Sequence, residues 1–108
     1  MARGKIEKES TLDALVRALC LDYPRRERAI SEGSVSHRTD TEFRYYNFKI
    51  FDAAAEVVGE LDAELYIKEI GERCGYAKSE IFIISEGTYK ARKRAVMDNI
   101  AKKLHLSD

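Results

Sequence analysis

The sequence predicts an all-α fold, a small domain of four to six helices whose C-terminal part is helix-turn-helix-like. Three observations carry this. Proline occurs once and glycine six times in 108 residues, so little interrupts the chain. No stretch alternates apolar and polar residues with the two-residue period of a half-buried strand. Apolar residues instead recur at i, i+3, i+4 and i+7 over four stretches, the mark of amphipathic helices. The length suits one domain, 1–108, with a charged and frayed segment at 1–9 and the helix-turn-helix-like part at 60–104.

Each element has a local cause. The first helix runs from Thr11 to Leu21 with Ser10 as N-cap, and Leu12, Leu15, Val16 and Leu19 form its stripe. Asp22-Tyr23 breaks it, and Pro24 suits the first position of a second short helix to Ser31. Gly33 to Arg38 is a polar loop. Thr39 with Glu42 three residues on forms a capping box that opens the longest helix, to Val58. Phe43, Tyr46, Ile50, Phe51, Ala54, Val57 and Val58 share one of its faces. Gly59 ends it. A fourth helix, Leu61 to Cys74, buries Ala63, Ile67, Ile70 and Cys74, and Gly71 inside it costs about 1 kcal/mol relative to alanine. Residues 76–84 fit strand, loop or helix by periodicity; a short helix from Lys78 to Phe82 is favoured, since a lone strand leaves its backbone unpaired. Ser85 then caps a final helix, Glu86 to Leu104, whose stripe is Tyr89, Val96, Ile100 and Leu104. The expected core is Leu15, Leu19, Phe43, Tyr46, Ile50, Phe51, Ala54, Val57, Ile67, Ile70, Tyr89, Val96 and Ile100.

Nineteen Lys+Arg balance nineteen Asp+Glu, so only the distribution of charge is informative. Residues 86–104 hold six cations against two anions, and residues 52–72 hold seven anions against Lys68 alone. A neutral chain with one basic end can bind a polyanion through that end. Cys20 and Cys74, 54 residues apart, fit reduced thiols in a cytoplasmic protein rather than a disulfide or a zinc site. The polar N-terminus does not resemble a secretory signal, and no apolar run approaches the ~18 residues of a membrane span. There is no nucleophile elbow, no phosphate-cradling glycine loop and no His-Glu metal pair at helical spacing. His37 and His105 lie in a polar loop and the tail. The expectation is therefore a protein that is not an enzyme, with no metal and no cofactor.

The cations of the last helix form a side. Taking Val96 as the inward direction, Lys90 falls about 120° and Arg94 about 160° away at roughly 100° per residue, and Lys93 only about 60°. They lie in the first half of the helix, where the macrodipole slightly disfavours them, unlike Lys102 and Lys103 in the last turn. A packed back with cations at the leading end is what a DNA-recognition helix needs.

The run Ile84-Ser85-x-x-Thr88-Tyr89-Lys90-x-Arg92-Lys93-Arg94, then Ile100-Ala101 and Leu104, resembles the C-terminal helix-turn-helix of phage-encoded transcriptional regulators of the RinA/ArpU type, which are similar to region 4 of sigma factors. Asp22-Tyr23-Pro24-Arg25-Arg26 is also similar to them. The resemblance covers residues 83–104. It implies that Ser85 caps the recognition helix, that Tyr89 anchors it, and that Glu86, Gly87, Lys90, Ala91 and Arg94 face the groove. The sequence departs from the family at Gly75 to Phe82, which takes the place of the family's clear amphipathic helix before the turn. The expected DNA-binding residues are Ser85, Glu86, Gly87, Thr88, Lys90, Ala91, Arg92, Lys93 and Arg94. The expected function is a phage or prophage DNA-binding transcription regulator acting on double-stranded DNA in the cytoplasm. RNA polymerase and a second copy of the chain are further candidate partners, and no membrane is involved. The alternative is a helical protein–protein interaction module or phage accessory protein without DNA binding, using an aromatic surface around Tyr45, Tyr46 and Phe48.

Overall fold

The computed structural model describes residues 9–81 and 84–107. Five α-helices follow in order: α1 (Thr11–Leu21), α2 (Tyr23–Glu32), α3 (His37–Val58), α4 (Glu60–Gly71) and α5 (Glu86–Lys103), with one 3-10 turn, Tyr76–Lys78, before α5. No strand occurs among the described residues, so the all-α expectation holds. Of the segment expected to fray at 1–9, only Glu9 lies within the described residues.

Short-range capping sets most boundaries. Ser10 Oγ accepts the Asp13 amide at 3.0 Å and opens α1, as expected. The start of α3 differs from the expected capping box. Ser36 is its N-cap and takes the Thr39 amide at 3.2 Å, so the helix begins at His37, inside the segment expected to be loop. Thr39 instead sits one turn in. The second stretch starts at Tyr23, one residue before Pro24.

The fourth helix stops three residues earlier than its apolar spacing suggests. Arg73 adopts φ 58°, the left-handed conformation usual for glycine after a helix. The Cys74 amide then bonds back to Glu69 O at 2.9 Å and the Arg73 amide to Ile70 O at 3.2 Å, closing the end. Cys74 is therefore half-buried and outside the helix rather than on its inner face. The short helix expected over Lys78 to Phe82 is replaced by the 3-10 turn and an extended Ser79; Phe82 lies outside the described residues.

The central element is α3, which packs against α2, α4 and α5, while α1 packs against α4 and α5. The main core joins Val16 and Cys20 of α1, Ile50, Ala53 and Ala54 of α3, Ala63, Ile67 and Ile70 of α4, and Val96, Met97, Ile100 and Ala101 of α5. Full burial of each large aliphatic side chain here contributes about 1.5–3 kcal/mol. A smaller cluster of Tyr66, Ile81 and Tyr89 sits between α4 and the start of α5.

Three members of the expected core, Leu15, Phe43 and Tyr46, belong to neither cluster. Leu15 is 43% exposed and Tyr46 38% exposed. On α1 the inward positions are Val16 and Cys20, one turn apart, and Leu15 lies about 100° round from Val16. On α3 the inward line is Asn47, Ile50, Ala53 and Ala54. Asn47 is there because Arg26 of α2, only 3% exposed, donates to its Oδ1 at 2.7 Å and to Leu19 O at 2.6 Å. Asn47 Nδ2 in turn donates to Tyr23 O at 3.1 Å and Glu27 at 2.8 Å. This satisfied buried network takes the place a hydrophobic stripe would give to Tyr46, whose ring lies 6.0 Å from the Arg26 guanidinium. Leu19, Phe43, Phe51 and Val57 are half-buried.

Gly71 explains its own presence in a helix. A Cβ there would come within 2.6 Å of Leu21 N and 2.7 Å of its Cα, because the ends of α1 and α4 cross with their backbones in contact. The last turn of α4 is thus tightly held.

Candidate nucleic-acid interface

The leading end of α5 is built from its cap inward. Ser85 accepts the Thr88 amide at 3.1 Å and its hydroxyl lies 3.0 Å from that of Thr88, so both are used in starting the helix. One turn in, Tyr89 is 1% exposed and packs on Tyr66 and Ile81. Its hydroxyl donates to Glu69 at 2.7 Å.

In the sequence Glu69 is one carboxylate of the acidic stretch at 52–72, with nothing beside it to set it apart. It is 2% exposed. Besides Tyr89 it accepts Ser79 Oγ at 2.7 Å and the Glu80 amide at 2.8 Å, and Ser79 Oγ accepts the Ile81 amide at 2.9 Å. One carboxylate therefore orders residues 79–81 and pins the start of α5. Its position, three after Tyr66 and one before Ile70, is the signal that sets it on the inward face of α4. Burial, and then the bond to Glu69, push the Tyr89 hydroxyl well above the usual tyrosine range.

Beyond this anchor the expected site residues divide. Glu86, Gly87, Lys90, Ala91 and Arg92 are exposed on α5. Around Gly87 an added Cβ would meet nothing within 4 Å. Lys90 pairs with Glu86 at 2.9 Å, an exposed i, i+4 contact that contributes about 0.3–0.5 kcal/mol. Arg92 forms no ion pair with the described residues.

Lys93 and Arg94 carry structural bonds that the sequence does not reveal. Lys93 is half-buried; its ammonium donates to Cys74 O at 2.6 Å and lies 5.0 Å from the Tyr89 ring centre. Burial, and next the nearby Arg17 charge, lower its pKa from the ordinary lysine value. Arg94, expected to point freely outward, grips Asp13 of α1 with two bonds of 2.8 Å and also bonds to Asp98 at 2.7 Å. The Asp13 carboxylate is the main reason its guanidinium pKa is raised.

The cations converge on a cleft of about 190 Å³ between α1 and α5, lined by Arg17, Lys90, Lys93, Arg94 and Met97. Arg17 enters from α1 and is held by Glu9 and by a 2.8 Å bond to Ile70 O. Glu9 also bonds Arg73 at 2.6 Å. A separate groove of about 390 Å³ between α2 and α4 has Cys20, Tyr23, Pro24 and Ile67 on its floor. Burial pushes the Cys20 thiol up to about 12, which keeps it protonated and unreactive.

Residues 72–85 join α4 to α5, a longer connection than the three or four residues of a tight helix-turn-helix. At Gly75 to Phe82, where the sequence departs from the family's amphipathic helix, the described part holds the 3-10 turn alone. Among the described residues no cluster of His, Cys, Asp and Glu could hold a metal ion, and no helix is long and apolar enough to cross a membrane. No protein-family model, curated protein or solved structure matches the chain.

Proposed function

We propose that the protein binds double-stranded DNA through the exposed face of the first turns of α5, and that it acts there as a transcription regulator of the phage or prophage kind. The observation that carries this reading is the build of that helix end. Glu86, Gly87, Lys90, Ala91 and Arg92 are exposed, small residues at 87 and 91 leave room for close approach, and a buried Tyr89–Glu69 bond fixes the helix behind them. Lys90 and Arg92 supply charge for phosphates or guanine edges. The resemblance of residues 83–104 to RinA/ArpU-type regulators supports the same face. In this reading α4, the connection at 72–85 and α5 form an open version of the helix-turn-helix, and the protein works in the cytoplasm, where RNA polymerase and a second copy of the chain are its candidate partners.

The test is a titration of genomic DNA fragments at low and moderate salt with wild type, Lys90→Ala, Arg92→Ala and Lys102→Ala. Binding that weakens with salt, and weakens further in the first two variants but not in Lys102→Ala, supports the reading. Absence of binding at low salt ends it.

A second reading has its own observation. Phe48 is 66% exposed and Tyr45 44% exposed on the outer face of α3, and Tyr45 packs edge-to-face on Tyr46 at 5.6 Å. Such an aromatic surface suits a protein partner. If DNA binding is absent, a helical interaction module acting through Phe48 and Tyr45 is the reading that remains.

A further inference from the structure

Of the four cations around the α1–α5 cleft, three have carboxylate partners: Arg17 with Glu9, Lys90 with Glu86, and Arg94 with Asp13 and Asp98. Lys93 has none among the described residues and donates to a peptide carbonyl, Cys74 O. A half-buried ammonium without a counter-ion, beside Arg17 and Lys90, is a place where positive charge exceeds what the fold neutralises. Its pKa is lowered by burial first and by Arg17 next, with Lys90 a smaller cause, against the opposing charge of buried Glu69.

We propose that this cleft seats a single phosphate group, a backbone phosphodiester of nucleic acid, held by Arg17, Lys90 and Lys93, with Arg94 at its edge. The choice of phosphate follows from the donors. They line one cleft from two helices, α1 and α5, and several cations on two walls suit a tetrahedral oxyanion with several acceptors better than a planar carboxylate with two. The remaining wall is Met97, with no aromatic face on which a base would stack, so the cleft takes the phosphate and not the nucleoside. Lys90 belongs both to the cleft and to the exposed face of α5, so a phosphate seated here would flank bases read by Gly87 and Ala91. The inference rests on the nucleic-acid reading for the source of the phosphate, and on the cleft itself for the site. It adds α1, through Arg17, to the contact surface.

The experiment uses the full chain and two probes. Inorganic phosphate is titrated against chloride at matched ionic strength while backbone amide shifts are followed by NMR. A short random-sequence duplex is titrated in parallel at two salt concentrations. Wild type is compared with Lys90→Gln, Lys93→Gln and Arg17→Gln, with circular dichroism to confirm folding. Lys90→Gln keeps the test open should the other two fail to fold, because among the described residues its ammonium pairs with exposed Glu86 alone. The expected result is saturable phosphate-specific shifts at Arg17, Lys90, Lys93 and Met97, lost in folded variants. Duplex affinity should fall about tenfold per variant, the loss of one charge-assisted hydrogen bond. Shifts with phosphate but no duplex binding would keep the site and assign it to free phosphate, ending the DNA reading alone. Duplex binding that is unchanged in all folded variants, with no phosphate-specific shift in the cleft, would overturn the site and leave the DNA reading standing.

Discussion

Tyr89 donates its hydroxyl hydrogen to the buried carboxylate of Glu69 at 2.7 Å, and this bond fastens the start of the last helix to α4. The same carboxylate holds Ser79 and the Glu80 amide. The first turns of α5 are thus positioned by a group that belongs to the acidic half of the sequence.

Tyr89→Phe should therefore cost about 1–3 kcal/mol in urea unfolding, the range for leaving a buried acceptor short of a donor. Amide exchange at Glu80 and Ile81 should accelerate with it. A variant as stable as wild type, with unchanged exchange, would show that Glu69 does not hold the connection.

Ile50→Ala should cost about 2–5 kcal/mol, since Ile50 is fully buried in the main core. Leu15→Ala, at a position of comparable size on the sequence stripe, should cost much less because that side chain is largely exposed. Chemical denaturation of both variants measures the contrast, and equal losses would contradict the packing of α1.

Removing Arg94 should weaken the fold as well as any nucleic-acid contact. A double-mutant cycle on Arg94→Ala and Asp13→Ala should give a coupling of about 0.5–1 kcal/mol, the upper part of the range for exposed pairs, because the contact is two-pronged and joins residues 81 apart. The same cycle on Lys90 and Glu86 should give less, within the range for i, i+4 pairs.

Acid should destabilise the protein through its paired carboxylates. Asp13 is held below the usual aspartate range by Arg94, and Asp22 by Arg25. A lowered folded pKa means that the contribution is complete above the unfolded value and disappears as pH falls through the folded one. The thermal midpoint should consequently drop below pH ~4, and Asp13→Asn should show a shallower drop. A midpoint that is flat from pH ~5 to ~2 would contradict this.

The elements that local chemistry decides were readable in the sequence. Ser10 and Ser85 cap the helices they were expected to cap, and the stripe of α5 packs as its spacing indicates. The sequence misleads where a distant residue decides. Tyr46 yields its inward place to Asn47 because Arg26, 21 residues earlier, needs an acceptor inside. Glu69 lies in an acidic run, and only the fold brings it to Tyr89. Arg94 has the spacing of an outward-facing cation, and nothing near it in the chain announces Asp13. The capping box at Thr39 failed for a smaller reason, since Ser36 offers an equivalent hydroxyl one turn earlier.

Gly71→Ala decides between two local rules of opposite sign. Helix propensity alone predicts a gain of about 1 kcal/mol. The 2.6 Å approach to Leu21 N predicts a loss of about 1–3 kcal/mol, since the atoms in the way are backbone and cannot swing aside. Urea unfolding gives the sign, and a more stable variant would mean that α1 and α4 are further apart.

That crossing also supplies a way to recognise kin. Lys90 and Arg92, exposed on α5 and bonded to no other helix among the described residues, can be exchanged at little cost to the architecture, so they are poor markers of descent. A methyl group at position 71 cannot be accommodated unless α1 is moved, and a buried carboxylate two residues earlier needs its tyrosine twenty residues on. A chain that keeps Glu-x-Gly at the end of its fourth helix and a tyrosine in the first turn of its fifth would share this arrangement even with Gly87, Lys90, Ala91 and Arg92 all altered.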